Sequence, residues 1–229
     1  APDRERSATS HSISLDKPLR ADEIRPGVFS VDGTPVDCVY LALLHLVPRK
    51  PDLCVSGINN GYNLGSDVFY SGTVAAAVEA ALRAVPAIAV SLERSPTQDF
   101  SGAANLLRAV VAETLSRGPG AIPARTVLNV NVPCGPIAEY EITSLGNRVY
   151  RDLVDVRQDL RGRSYYWIGG PEEKADDLPG SDCHAVNSGR GSITPLDLDL
   201  TSRPLIPALR AWRMGEYVQT AAALAKTST

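Results

Sequence analysis

The chain is poor in the residues that usually announce chemistry. Its 229 residues include three histidines, four cysteines, one methionine, two tryptophans and three phenylalanines. The cysteines, Cys38, Cys54, Cys134 and Cys183, are too far apart for a Cys-x-x-Cys metal or redox motif. Cys38 and Cys54 lie in apolar segments and read as small buried hydrophobes. Cysteine used in this way is expected of a reduced, cytoplasmic protein. There is no basic excess: 23 Lys and Arg stand against 26 Asp and Glu, for a net charge of −3. Polymeric nucleic acid is therefore not an expected partner, because non-specific affinity needs a basic footprint. No apolar run reaches the length of a membrane span, no leader peptide is recognisable, and no membrane association is expected. Internal repeats and low-complexity tracts are absent too.

What is there is an ordinary globular chain, 44% hydrophobic with a mean hydropathy of −0.07. The length suits one large domain or two small ones with a substantial core. One stretch stands out. Leu53-Cys-Val-Ser56 reads as a strand; it feeds a loop rich in Gly, Asn, Ser and Asp, and that loop runs into the alanine-rich helix 74–84. In α/β proteins, ligands bind where loops leave the carboxyl ends of strands. A helix N-terminus placed there attracts anions through its free N–H groups and its dipole.

The rest of the first half repeats the same grammar. Residues 1–27 read as polar loop and Val28-Phe-Ser-Val31 as a short strand. Thr34 caps a helix with Pro35 at its first position, and that helix runs to Leu46 and stops before Pro48. Ala87-Ile-Ala-Val-Ser-Leu92 is the unbroken apolar run of a strand buried on both faces. Ser101 is expected to cap a helix over 102–117, and Thr126–Val132 is the next strand. Alternation of this kind predicts an α/β fold with a Rossmann-like, doubly wound, mostly parallel sheet. Beyond Pro133 the pattern turns to β additions: 139–145, an aromatic strand over 165–168, and 192–200. Residues 151–163 and the acidic stretch 172–182 read as loops, the latter mobile, and 205–226 as a terminal helix.

Three loops would converge at the carboxyl edge of that sheet. In Asp3-Arg-Glu-Arg-Ser7, either a solvated charge cluster or a Ser7 hydroxyl facing a metal or phosphate is a fair reading. In Ser56-Gly-Ile-Asn-Asn-Gly61, a structural turn competes with Asn59 acting as a neutral oxygen ligand for a hard cation, with Gly57 and Gly61 admitting the ligand closely. In Tyr70-Ser71-Gly72-Thr73, a helix cap is compatible with a phosphate held by Ser71, Gly72 and Thr73. Gly57, Gly61 and Gly65 are spaced by four, so this is neither a dinucleotide fingerprint nor a P-loop. His45 reads as core or surface and His11 as loop; His184 is a candidate for substrate contact or for an interface. No Ser-His-Asp order is legible.

Taken in order, these segments resemble the survival protein SurE family of metal-dependent nucleotide phosphatases. The matching pieces are Ala1-Pro-Asp-Arg-Glu-Arg-Ser7, Val31-Asp-Gly-Thr-Pro-Val-Asp-Cys-Val39, Pro51-Asp-Leu-Cys-Val-Ser-Gly-Ile-Asn59, Asn63-Leu-Gly65, Tyr70-Ser-Gly-Thr-Val-Ala-Ala-Ala77, Leu128-Asn-Val-Asn-Val-Pro133, Tyr166-Trp-Ile-Gly169 and Ser192-Ile-Thr-Pro-Leu196. The resemblance implies hydrolysis of nucleoside 5′-monophosphates to nucleoside and phosphate, with 3′-nucleotidase and exopolyphosphatase activities as extensions. It also implies a Mg or Mn cofactor, a cytoplasmic location and a homodimer or homotetramer assembled through C-terminal β extensions. The whole chain, 1–229, then reads as a single SurE-like domain, with an α/β core over 1–133 and a β-rich extension and helix over 134–229. Ser7 and Asn59 match the family's neutral metal ligands, and Ser71, Gly72 and Thr73 its phosphate-proximal loop.

The family's two adjacent metal-binding aspartates, in an Asn-Asp-Asp-Gly segment ahead of Ala-Pro-Asp-Arg, have no counterpart: no Asp-Asp-Gly occurs in the sequence. The resemblance thus implies that the chain lacks the N-terminal part of the domain, and no catalytic residue can be assigned within it. Ala8 and Ser66 also depart from the family pattern. A nucleotide-binding or assembly module without catalysis is the alternative reading.

Overall fold

The computed structural model describes residues 1–94, 96, 99–150, 153–169, 172–175, 177–212, 214 and 215. These fall into two compact units, Ala1–Leu198 and Asp199–Thr229. In the first, the N-terminal segment is not all loop. Ala21–Arg25 (β1) pairs antiparallel with Val28–Val31 (β2). The pairing escapes a periodicity reading because β1 is exposed along its whole length and has no apolar face. Pro35–Leu41 (α1) follows, opened by a capping box in which Thr34 and Asp37 satisfy each other's backbone N–H groups. A π-helical turn, Ala42–Leu46, ends it before Pro48.

Cys54–Asn60 (β3) leads through a 3₁₀ turn, Gly65–Phe69, to Gly72–Leu82 (α2). Ala87–Leu92 (β4) is buried at every position, as its unbroken apolar run predicts. Ser101–Arg117 (α3) begins one residue early: Phe100 occupies the cap position, and the Asp99 carboxylate, not Ser101, accepts a first-turn N–H, that of Ser101, at 2.9 Å. Thr126–Val132 (β5), Tyr140–Ile142 (β6), Arg148–Tyr150 (β7), Leu153–Gln158 (β8), Ser164–Gly169 (β9) and Glu172–Ala175 (β10) follow. Asp182–Asn187 (α4) and Gly191–Asp197 (β11) complete the unit. The segments over 151–163 and 172–182, expected to be loops, thus contribute two paired strands: β8 pairs with β9 and β10 with β7. Charged residues are tolerated there because neither pair belongs to the central sheet.

The central sheet has five strands in the order β3-β4-β5-β11-β6. Three of its four pairings are parallel, and β5–β11 is antiparallel. The α/β, mostly parallel sheet expected from the sequence is therefore present. Side-chain alternation divides its core between the two faces. Ala87 and Ala89 meet Val74, Ala77, Ala80 and Ala81 of α2, small against small, so the helix lies close to the sheet. Ile88, Val90 and Leu92 point the other way, onto Ala103 and Leu106 of α3. Each of those three large side chains stabilises the fold by about 1.5–3 kcal/mol through burial.

In the second unit Leu205–Arg210 forms a short helix (α5), and the Asp199 carboxylate pairs with Arg203. The helix expected over 205–226 is described only in part; most of its second half lies outside the described residues.

Candidate functional site

A cavity of about 660 Å³ opens at the carboxyl end of β3, beside the first turn of α2. That volume is in the range of small-molecule sites. Its lining includes Ser7, Asn59, Ser71, Gly72 and Thr73, so the three loops singled out in the sequence meet in one place. Each arrives there for a local reason.

Ser71 has extended backbone and caps α2, its Oγ accepting the Val74 N–H at 3.1 Å. Gly72 and Thr73, the first residues of the helix, line the cavity, where a helix dipole favours anions. Asn59 is the penultimate residue of β3, and its Nδ2 donates to Gly61 O at 2.8 Å. This turns the amide so that the side-chain oxygen accepts no hydrogen bond from a described residue. Gly57 lines the cavity and has a structural use as well. A Cβ there would lie 2.3 Å from Val90 O, so the glycine lets β3 pass against β4.

Ser7 arrives on an N-terminal strap that crosses the α2 N-terminus. Ser10 N–H and Oγ donate to Tyr70 O and Phe69 O at 3.0 and 2.7 Å. His11, expected to be a loop residue, pairs with the buried Glu79 carboxylate at 3.0 Å, and Arg83 donates to the same carboxylate at 2.7 Å. Ser14 N–H and Oγ donate to Asp37 at 2.9 and 2.7 Å, and Thr34 N–H at 2.8 Å. Burial would raise the Asp37 carboxyl, but the hydrogen bonds from Ser14 and Thr34 outweigh it and hold the group below its ordinary range.

A buried polar network carries the loop that follows Asn59. Asn129, Asn131 and Ser91 lie on the α2 face of the sheet at its carboxyl end, all fully buried. Asn131 Oδ1 accepts the Asn63 N–H at 2.8 Å, and Asn129 Nδ2 donates to Asn63 O at 2.8 Å. Asn63 Nδ2 donates to Ser91 at 2.6 Å. These residues escaped the site reading. Their signal is in the sequence nonetheless: two asparagines at alternate positions of an otherwise apolar strand need buried partners.

His184 is not brought to this cavity. It sits on α4, its Nδ1 paired with Asp177 at 2.7 Å. Cys38 and Cys54 are half-buried and line the cavity, and Cys54 also packs against the core beneath α2. Burial pushes both thiols up, which opposes thiolate chemistry. Among the described residues no histidine lines the cavity, so no histidine–nucleophile pair forms there. The donors in kind are hard oxygens, but Ser7 and Asn59 are both neutral, and Glu5 is the single carboxylate among the described residues of the lining. Hard divalent cations are usually held with carboxylate help. Among the described residues no group of three or more His, Cys, Asp or Glu is arranged to hold a metal. The residues present thus do not by themselves fit a divalent cation. No described helix is long and apolar enough to cross a membrane.

A mostly parallel α/β sheet with an anion-favouring helix start and a small-molecule cavity at its carboxyl edge defines a phosphate-site class of α/β protein. Within that class the chain belongs to the survival protein SurE family, whose family model matches residues 1–152. It is 51% identical over 220 residues to the 5′-nucleotidase SurE of Anaeromyxobacter dehalogenans (strain 2CP-C), covering 95% of this chain and 85% of the relative. The 5′-nucleotidase SurE of Myxococcus xanthus (strain DK1622) is 50% identical, covering 95% and 83%. Among solved structures, the SurE protein from Aquifex aeolicus superposes with a TM-score of 0.79 at 38% identity, covering 91% of this chain and 85% of that one.

Proposed function

We propose that the cavity is the nucleoside-monophosphate site of a phosphoric monoester hydrolase acting on nucleoside 5′-monophosphates. The observation that carries this reading is the meeting of Ser7, Asn59 and the capped start of α2 in one cavity of nucleotide size. The relatives' shared name, 5′-nucleotidase, agrees with it. Ser71 and Thr73 hydroxyls and the first-turn N–H groups of α2 orient the phosphoryl group and favour charge growing on it. Ser7, which lines the same cavity, is read as a further contact to that group, and a Mg or Mn ion is the cofactor the family implies.

Because the chain's own donors do not fit that ion, turnover by these 229 residues is slight in this account while nucleotide binding is retained. The same misfit favours the second reading, a binding module without catalysis. Calorimetric titration with AMP, run beside manganese-dependent phosphate release, separates the possibilities. Binding with weak release supports the reading given. No AMP binding refutes the site, and robust turnover refutes the argument from ligands.

A further inference from the structure

We infer that Asp182, on α4 and outside the cavity, is a positioning residue for the phosphate-binding turn. The inference rests on reading Ser71–Thr73 as that turn. Asp182 is fully buried, and its carboxylate gathers separate stretches of chain. Oδ2 accepts the Gly65 N–H at 2.9 Å; Oδ1 accepts the Gly146 N–H at 2.8 Å and the Cys183 N–H at 2.8 Å. A carboxylate is the side chain that accepts several N–H groups with no donor of its own to place.

The clamp acts on the loop that ends at the site. Gly65 is held at φ +50, and a Cβ on it would lie 2.4 Å from Gly146 O, so the two loops are packed backbone to backbone. Two residues on, the half-buried Asp67 pairs with Arg148 at 2.5 Å, tying the same two loops a second time. The Asp67 carbonyl then accepts the N–H groups of Tyr70 and Ser71 at 3.0 and 3.1 Å. The path from Asp182 to the cap of α2 therefore runs through the Gly65 N–H, two residues of chain and the Asp67 carbonyl. On the far side, Asn63 is held by β4 and β5 through Ser91, Asn129 and Asn131. The sheet fixes one end of the loop and Asp182 the other.

Asp182→Asn tests this with little change of volume. Retaining Oδ1 keeps Gly146 and Cys183 bonded, while the new NH₂ group opposes the Gly65 N–H. Amide hydrogen exchange of the 229-residue chain should accelerate about tenfold to a hundredfold over 65–73 and stay unchanged in β4 and β5. The AMP dissociation constant should rise about tenfold, a change that a merely structural role would not produce in a variant with an intact core. Equal acceleration in the core, or unchanged exchange over 65–73, overturns the inference. Should the unsubstituted chain fail to bind AMP, the function proposed above falls while the exchange pattern still decides the role of Asp182. Should Asp182→Asn not fold, the unsubstituted chain decides. The Gly65 and Gly146 amides should then open together, and rates differing more than about tenfold contradict a shared clamp.

Discussion

Asp37 is where the strap that carries Ser7 is fastened, and Asp37→Asn is a direct way to unfasten it. The carboxylate is 2% exposed and accepts from Ser14 N–H, Ser14 Oγ and Thr34 N–H. An asparagine can keep the Ser14 N–H on its oxygen, but its NH₂ then faces the Thr34 N–H, donor against donor. Leaving that buried donor unsatisfied and losing the charge-assisted contacts costs about 3 kcal/mol. For a chain of this size that lowers the melting temperature by about 6–12 °C. The difference should depend on pH in one direction. The folded-state pKa of Asp37 is depressed, so its contribution is complete above the ordinary carboxylate value, about 3.9, and is lost as pH falls through the folded value. Circular-dichroism melts of both proteins at pH 7 and in a descending acid series check this. The gap should be full at pH 7 and close in acid. A gap below about 2 °C at pH 7, or one that widens as pH falls, refutes the reasoning.

Ser71→Ala removes the cap of α2 and, in the proposed function, a phosphate donor. It should cost about 1 kcal/mol of stability and weaken AMP binding by about tenfold or more, whereas a loss of stability without any change in AMP affinity contradicts the cradle. The outer edge of β3 has no strand partner among the described residues, and Val55 on it is 41% exposed. Light scattering should show self-association of the chain that Val55→Lys reduces, because a charge on a free edge opposes strand pairing between molecules; a monodisperse monomer, or scattering unchanged by the substitution, contradicts that edge as the contact.

The parallel core was legible because burial on both faces leaves an apolar run such as Ala87–Leu92, which little else produces in a chain of this composition. The cap of α2 was legible from Ser71 alone, since capping is local chemistry. What sequence reading missed depends on contacts distant in the chain. β1 is exposed and its pairing leaves no apolar alternation to detect; β8 does alternate, Val154-Asp155-Val156-Arg157, but inside a charged stretch that reads as loop. Asp182 looks like any helix-start aspartate until Gly65 and Gly146 are folded around it. His184, picked for its side-chain chemistry, lies on α4 beside Asp177 and not in the cavity. The residue types were readable; which loops would be clamped together was not, because that follows from the order in which the strands assemble.

The proposed function requires the cavity to hold a nucleoside monophosphate by its phosphate. Calorimetric titration of the 229-residue chain with AMP and with adenosine tests it most directly. The phosphate contacts at the α2 start predict that AMP binds about tenfold or more tightly than adenosine. Equal affinity for the two, or no binding of AMP, would contradict it.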